Sequence, residues 1–196
     1  MYLLQRIFGV LIFSYSGTLA YSGEVVHAFV EEQDGHFLLD LIMQIDAPKN
    51  KVLEIMTRYN RLSELSNSIR SSEILEQKKN LTRVKIINEG CILFICQTIT
   101  QVQNVQQLDK DYLSIEVEPL KDNIKSSSQY WHFDAIKENK TRIHYSADIE
   151  PDFWVPMFFG SWLFQSRLLE EATEMINKAE KLATRPTTSG YTLPTK

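Results

Sequence analysis

Thr141-Arg-Ile-His-Tyr-Ser-Ala-Asp-Ile-Glu150, followed closely by Val155-Pro-Met-Phe-Phe-Gly-Ser-Trp-Leu-Phe-Gln-Ser-Arg-Leu-Leu-Glu-Glu-Ala-Thr-Glu-Met-Ile-Asn-Lys-Ala-Glu-Lys-Leu-Ala183, is the passage that decides the fold. In its first part Ile143, Tyr145, Ala147 and Ile149 alternate with Arg142, His144, Ser146, Asp148 and Glu150, which is the period of a strand with one apolar and one wet face. In its second part the period changes to that of a helix. Phe158, Trp162, Leu169, Ala172, Ile176 and Ala179 fall on one stripe, while Glu170, Glu171, Glu174, Lys178 and Lys181 take the other side. Glu174 and Lys178 form a favourable i,i+4 pair.

The same strand period recurs upstream. His36–Asp46 places Phe37, Leu39, Leu41, Met43 and Ile45 on one face, and Asp34-Gly35 joins it to a preceding strand, Val25–Gln33. Pro48 opens a short helix, Lys49–Tyr59, and a second helical or turn segment covers Leu62–Ser66. From Ile69 to Glu150 the chain reads as a run of strands: Leu81–Glu89 and Cys91–Val105 divided at Gly90, then Tyr112–Glu118, Gln129–Lys137 and Thr141–Glu150. Strands, short helices, more strands and one long amphipathic helix give an α+β chain. A curved antiparallel sheet has one apolar face and the helix has a matching stripe, so wrapping the sheet around the helix buries both. That arrangement is the helix-grip fold.

Three segments resemble the START-like superfamily that includes polyketide cyclases and coenzyme Q-binding START proteins: Asp46-Ala-Pro-Lys-Asn-Lys-Val52, Arg58-Tyr-Asn-Arg-Leu-Ser-Glu-Leu-Ser-Asn-Ser-Ile69 and Glu150-Pro-Asp-Phe-Trp-Val-Pro156. Arg58 stands where that pattern favours an aspartate, and Asn67 where a proline is common. The resemblance spans about residues 36–182 and its motifs are structural. It implies a tunnel between sheet and long helix in which an apolar ligand sits. The strand residues expected to line it are Phe94, Trp131, Phe133 and Tyr145. From the helix come Phe158, Phe159, Trp162 and Leu169, with Phe153 and Trp154 as a gate at its mouth. Aromatic and aliphatic walls with few polar groups suit a lipid, quinone or isoprenoid-like molecule. The uncharged stretch Phe153–Phe159 also suits transient membrane contact or a protein partner.

Catalytic chemistry has thinner support. An aromatase/cyclase-like enzyme needs acid–base groups inside the tunnel, for which Tyr145, Arg83 and Gln97 are the candidates. A hairpin symmetric about Asn139 places Asp134 opposite His144 and His132 opposite Ser146, but on the solvent face. His27 and His36 flank the first hairpin without metal-ligand spacing. No HExxH, CxxC, GxSxG or phosphate loop occurs, so neither metal nor cofactor is expected. Cys91 and Cys96, read as lying five apart on one extended strand, would be about 16 Å apart, so no bond between them is expected.

The ends of the chain set its compartment. A basic start at Arg6, the apolar Ile7–Phe13 and a small-residue exit at Ala20 and Ser22 read as a secretory signal over residues 1–22. An anchor is the alternative; the stretch is short for about 30 Å of hydrocarbon. A periplasmic domain over 23–183 and a disordered tail over 184–196 complete the expected organisation. The formal charge of −4 argues against a sequence-independent nucleic-acid binder, and two cysteines exclude a disulfide-dense mini-domain or four-cysteine zinc site.

Overall fold

The computed structural model describes residues 23–92, 95–120, 124–152 and 160–185. The sequence-expected signal and nearly all of the tail lie outside them. Strands β1 (Glu24–Gln33) and β2 (His36–Ile45) precede helix α1 (Lys49–Met56) and a 3₁₀ segment, Tyr59–Glu64. Then come β3 (Ile69–Gln77), β4 (Leu81–Ile92), β5 (Ile95–Gln107), β6 (Tyr112–Val117), β7 (Ile124–Lys137), β8 (Lys140–Pro151) and α2 (Gly160–Ala183). The strands form one antiparallel curved sheet of eight in the order β1-β2-β8-β7-β6-β5-β4-β3. No described helix is long and apolar enough to cross a membrane.

Alternation decides which face is covered. Leu41, Met43 and Ile45 of β2 and Phe133 and Ile143 of β7 and β8 are all buried, and Ala172, Ile176 and Ala179 of α2 complete that cluster. Helix α2 packs on β1, β2 and α1, so it covers one wing of the sheet. A smaller cluster of Val84, Ile86, Val105 and Ile115 fills the other wing under Tyr59 and Leu62. Here the cover is the 3₁₀ segment, held to β3 by the Leu62 N–H donating to Ser72 Oγ at 3.0 Å. Lys49 Nζ, 2.6 Å from Asp111 Oδ1, ties α1 to the approach to β6. The first hairpin turns at Asp34 and Gly35, with φ of 53° and 85°, the left-handed pair that a two-residue turn of this hand requires.

Three expectations need correction. α1 ends at Met56, because Thr57 (φ −100°, ψ 9°) and Arg58 (φ −77°, ψ 69°) leave helical geometry, and the chain re-coils as a 3₁₀ segment that kinks at Arg61 (φ −135°). β4 runs straight through Gly90 to Ile92 and β5 begins at Ile95, pairing antiparallel with it; Cys91 and Cys96 are therefore register partners on adjacent strands. A glycine inside a strand weakens it without having to end it, and here Gly90 pairs in the ladder with Gln97. Finally, a register shift between Ala135 and Lys137 sets His132 opposite His144 and Asp134 opposite Arg142. The triad-like pairing across that hairpin does not form. His144 instead reaches Asp40 of β2 at 2.8 Å.

The wet face carries one titration worth measuring. His36 Nδ1 lies 2.8 Å from Asp148 Oδ1, and that hydrogen bond, aided by the charges of Asp148, Glu150 and Asp34, raises the imidazole above its ordinary 6.5. A raised pKa means the pair stabilises the fold fully below the unfolded value and loses that contribution as pH rises through the folded one. In an NMR titration His36 is expected to titrate above 6.5, and Asp148→Asn to bring it down toward that value. An unchanged His36 titration in the variant would contradict the assignment.

Candidate functional site

The two wings of the sheet have different covers, and a cavity lies between them. Met56 closes it from α1, Met175 from α2, and Tyr59 and Leu62 from the 3₁₀ segment. Its floor is the sheet: Gln103 of β5, Leu113 and Ile115 of β6, and Gln129, Trp131 and Phe133 of β7. Its volume is about 160 Å³. That matches the roughly 150 Å³ known to hold a benzene-sized guest and falls below the roughly 300–1,000 Å³ of drug-sized sites. The described space therefore takes one ring, or a few methylenes of a longer molecule.

Trp131 is its central wall. It packs against both apolar clusters. Its ring centroid lies 4.5 Å from that of Tyr145, tilted by 52°, and 6.4 Å from that of Phe133. Among the described residues its buried indole Nε1–H has no hydrogen-bond partner. A buried donor left unpaired costs about 1–3 kcal/mol, so such groups are rare unless something else completes them. The other polar lining is already engaged. Gln103 Nε2 donates to Gln101 Oε1 at 3.2 Å and Gln129 Nε2 to Ser127 Oγ at 3.4 Å. Burial pushes the Tyr59 phenol up to about 12, so at neutral pH it donates hydrogen bonds and does not accept a proton.

The rim between the 3₁₀ segment and α2 is fastened by charge-assisted bonds. Glu171 Oε2 accepts from Ser66 Oγ at 2.7 Å and from Ser68 Oγ at 2.9 Å. Glu174 accepts from the Asn67 N–H at 3.2 Å, and Lys178 Nζ donates to Asn67 Oδ1 at 2.7 Å. These contacts set the distance from α2 to the 3₁₀ segment, and with it the height of the cavity.

Of the residues singled out from sequence, Trp131 and Phe133 line this space. Tyr145 is buried behind Trp131, where loss of solvent pushes its phenol far up. Leu169 is 37 % exposed and outside the lining. Phe94, Phe153, Trp154, Phe158 and Phe159 lie outside the described residues, and Trp162 sits on α2. Arg83, an enzyme candidate, faces away from the cavity and pairs with Glu118 through two bonds of 2.6 and 2.7 Å. Among the described residues no group of His, Cys, Asp and Glu could hold a metal ion. Sequence reasoning missed Tyr59, Leu62, Gln103 and Gln129. Leu62 continues the apolar side of α1, and that was the available signal for the 3₁₀ cover.

The sequence profile of the polyketide cyclase / dehydrase and lipid transport family matches residues 45–176. No curated protein matches the chain by sequence. Among solved structures it is similar to a START superfamily protein from Mycobacterium smegmatis, at 15 % identity and TM-score 0.64, covering 76 % of this chain and 99 % of that one. It is also similar to the Zhui aromatase/cyclase from Streptomyces sp. R1128, at 11 % identity and TM-score 0.60, covering 80 % and 99 %. A STAR-related lipid transfer protein from Xanthomonas axonopodis matches at 12 % identity and TM-score 0.58, covering 81 % and 99 %. At these identities the structural likeness establishes the helix-grip fold.

Proposed function

Because the chain belongs to the polyketide cyclase / dehydrase and lipid transport family, we propose that it binds a hydrophobic small molecule bearing a hydrogen-bond acceptor, with its apolar part in the cavity beneath Trp131. The unpaired Nε1–H of Trp131 carries the reading. An apolar wall alone suits any hydrocarbon, whereas an acceptor brought against Trp131 Nε1 would complete a donor that no described residue completes. A carbonyl or hydroxyl oxygen on an acyl lipid, a quinone or an isoprenoid alcohol supplies that acceptor. Carriage of such a molecule, rather than its chemical conversion, fits a described lining whose ionisable group, Tyr59, stays protonated at neutral pH. The signal-like pattern of residues 1–22 supports carriage outside the cytoplasm.

A matched pair of probes tests the acceptor. Acetophenone and ethylbenzene have nearly the same shape, but only the first has a carbonyl oxygen. Wild-type protein is expected to prefer acetophenone by about 0.5–1.5 kcal/mol, or roughly 2- to 12-fold in Kd. Trp131→Phe keeps a ring and removes the N–H, so the preference is expected to vanish even if both probes bind more weakly. Using the ratio cancels the packing change common to both probes. A preference unchanged in the variant would place the acceptor elsewhere, and equal binding of both probes to wild type would remove the argument.

A further inference from the structure

The strongest unassigned feature lies on the opposite face of the sheet from the cavity. β4 and β5 pair in one continuous register from Leu81 opposite Gln106 to Ile92 opposite Ile95. One step outside that run, the Gln107 N–H donates to the Asn80 carbonyl oxygen at 2.9 Å, which marks 80 and 107 as a hydrogen-bonded pair. Antiparallel ladders alternate hydrogen-bonded and non-hydrogen-bonded pairs. Counting inward along the unbroken register, each odd-numbered position of β4 is therefore a non-hydrogen-bonded one. Cys91 occupies such a position, and its partner across the ladder is Cys96.

That placement matters because backbones approach most closely at non-hydrogen-bonded pairs, with Cα atoms about 4.5 Å apart. A disulfide needs Cα atoms within about 4.4–6.8 Å. Directly opposed residues also share a face of the sheet. Thr82, Val84 and Ile86 take the buried face, so Cys91 belongs by register to the other set, with Arg83 and Glu89, whose side chains are 40 % exposed.

We propose that Cys91 and Cys96 are a thiol-oxidation site that forms an intrachain cross-strand disulfide at the tip of the β4–β5 hairpin. The co-reactant is a disulfide-bearing oxidant, a small-molecule or protein disulfide. The thiolate of one cysteine attacks a sulfur of that oxidant, breaking its S–S bond and releasing one thiolate. The second cysteine then attacks the mixed disulfide, forming the Cys91–Cys96 bond and releasing the other thiolate. The two thiol protons pass to solvent or to the released thiolates, and the oxidant takes up two electrons. The result is independent of what the cavity binds.

Oxidised glutathione is the probe, applied to the reduced full chain. Both cysteines lie in the single tryptic peptide between Lys85 and Lys110, so one mass reads the outcome. The peptide is expected to become lighter by two hydrogens, to lose both iodoacetamide-reactive thiols and to regain them on treatment with dithiothreitol. Cys96→Ser is expected to stop at a glutathione adduct on Cys91, with circular dichroism unchanged. Two thiols that stay reactive in wild type, a stable glutathione adduct in wild type, or oxidation that gives only intermolecular dimers would each overturn the proposal.

Discussion

Phe133→Ala is expected to lower the unfolding free energy by about 3–5 kcal/mol, the cost of deleting a fully buried aromatic side chain. Phe133 is 0 % exposed, faces Ile143 across β7 and β8, and belongs to the core cluster that α2 completes. It also borders the cavity, so truncation widens an existing void rather than opening a pocket that neighbours can collapse into. For a domain of this size the loss corresponds to a fall of about 6–20 °C in Tm. Tyr130→Ala on the same strand provides the comparison. Tyr130 is 51 % exposed, and its removal should stay within about 0.5 kcal/mol. Equal effects of the two substitutions would mean that Phe133 is not the packing centre described above.

Met175→Trp should weaken ligand uptake at least about tenfold while leaving the fold intact. Met175 stands on α2 and closes the cavity opposite Trp131, one position before the fully buried Ile176. A flexible side chain at that place leaves space; an indole fills it. Filling a void costs none of the strain of overpacking a dense core and commonly adds about 0.5–2 kcal/mol. The variant is therefore expected to melt at or above the wild-type temperature and to bind acetophenone at least about tenfold more weakly, a loss of about 1.4 kcal/mol or more. Undiminished binding at unchanged stability would put the ligand outside this cavity.

What the sequence revealed depended on how far each signal reaches along the chain. The alternation of Phe37 to Ile45 and of Ile143 to Ala147 needs only the strand period, and all of those positions are buried. The stripe of Ala172, Ile176 and Ala179 needs only the helical one. Reversals were harder to place. Gly90 reads as punctuation, yet β4 continues through it to Ile92, inside an apolar run where no residue type marks a strand end. The shift at Ala135 and Lys137 depends on how two strands settle against each other, so the pairing of His132 with His144 could not be counted from the turn. The site was legible in part. Trp131 and Phe133 stand out by size and spacing, but Gln103 and Gln129 reach the cavity only because β5 and β7 flank β6 in the sheet. An unpaired indole N–H is a property of the surroundings, and no local pattern encodes it.

The central claim is that this helix-grip domain is hollow for a ligand, and native mass spectrometry of the full chain tests it most directly. Purified protein, as isolated and after incubation with acetophenone, menadione and decanoic acid in turn, is expected to carry one apolar, oxygen-bearing molecule per chain, displaced in Met175→Trp. A protein that is isolated empty and takes up none of the three would contradict the account.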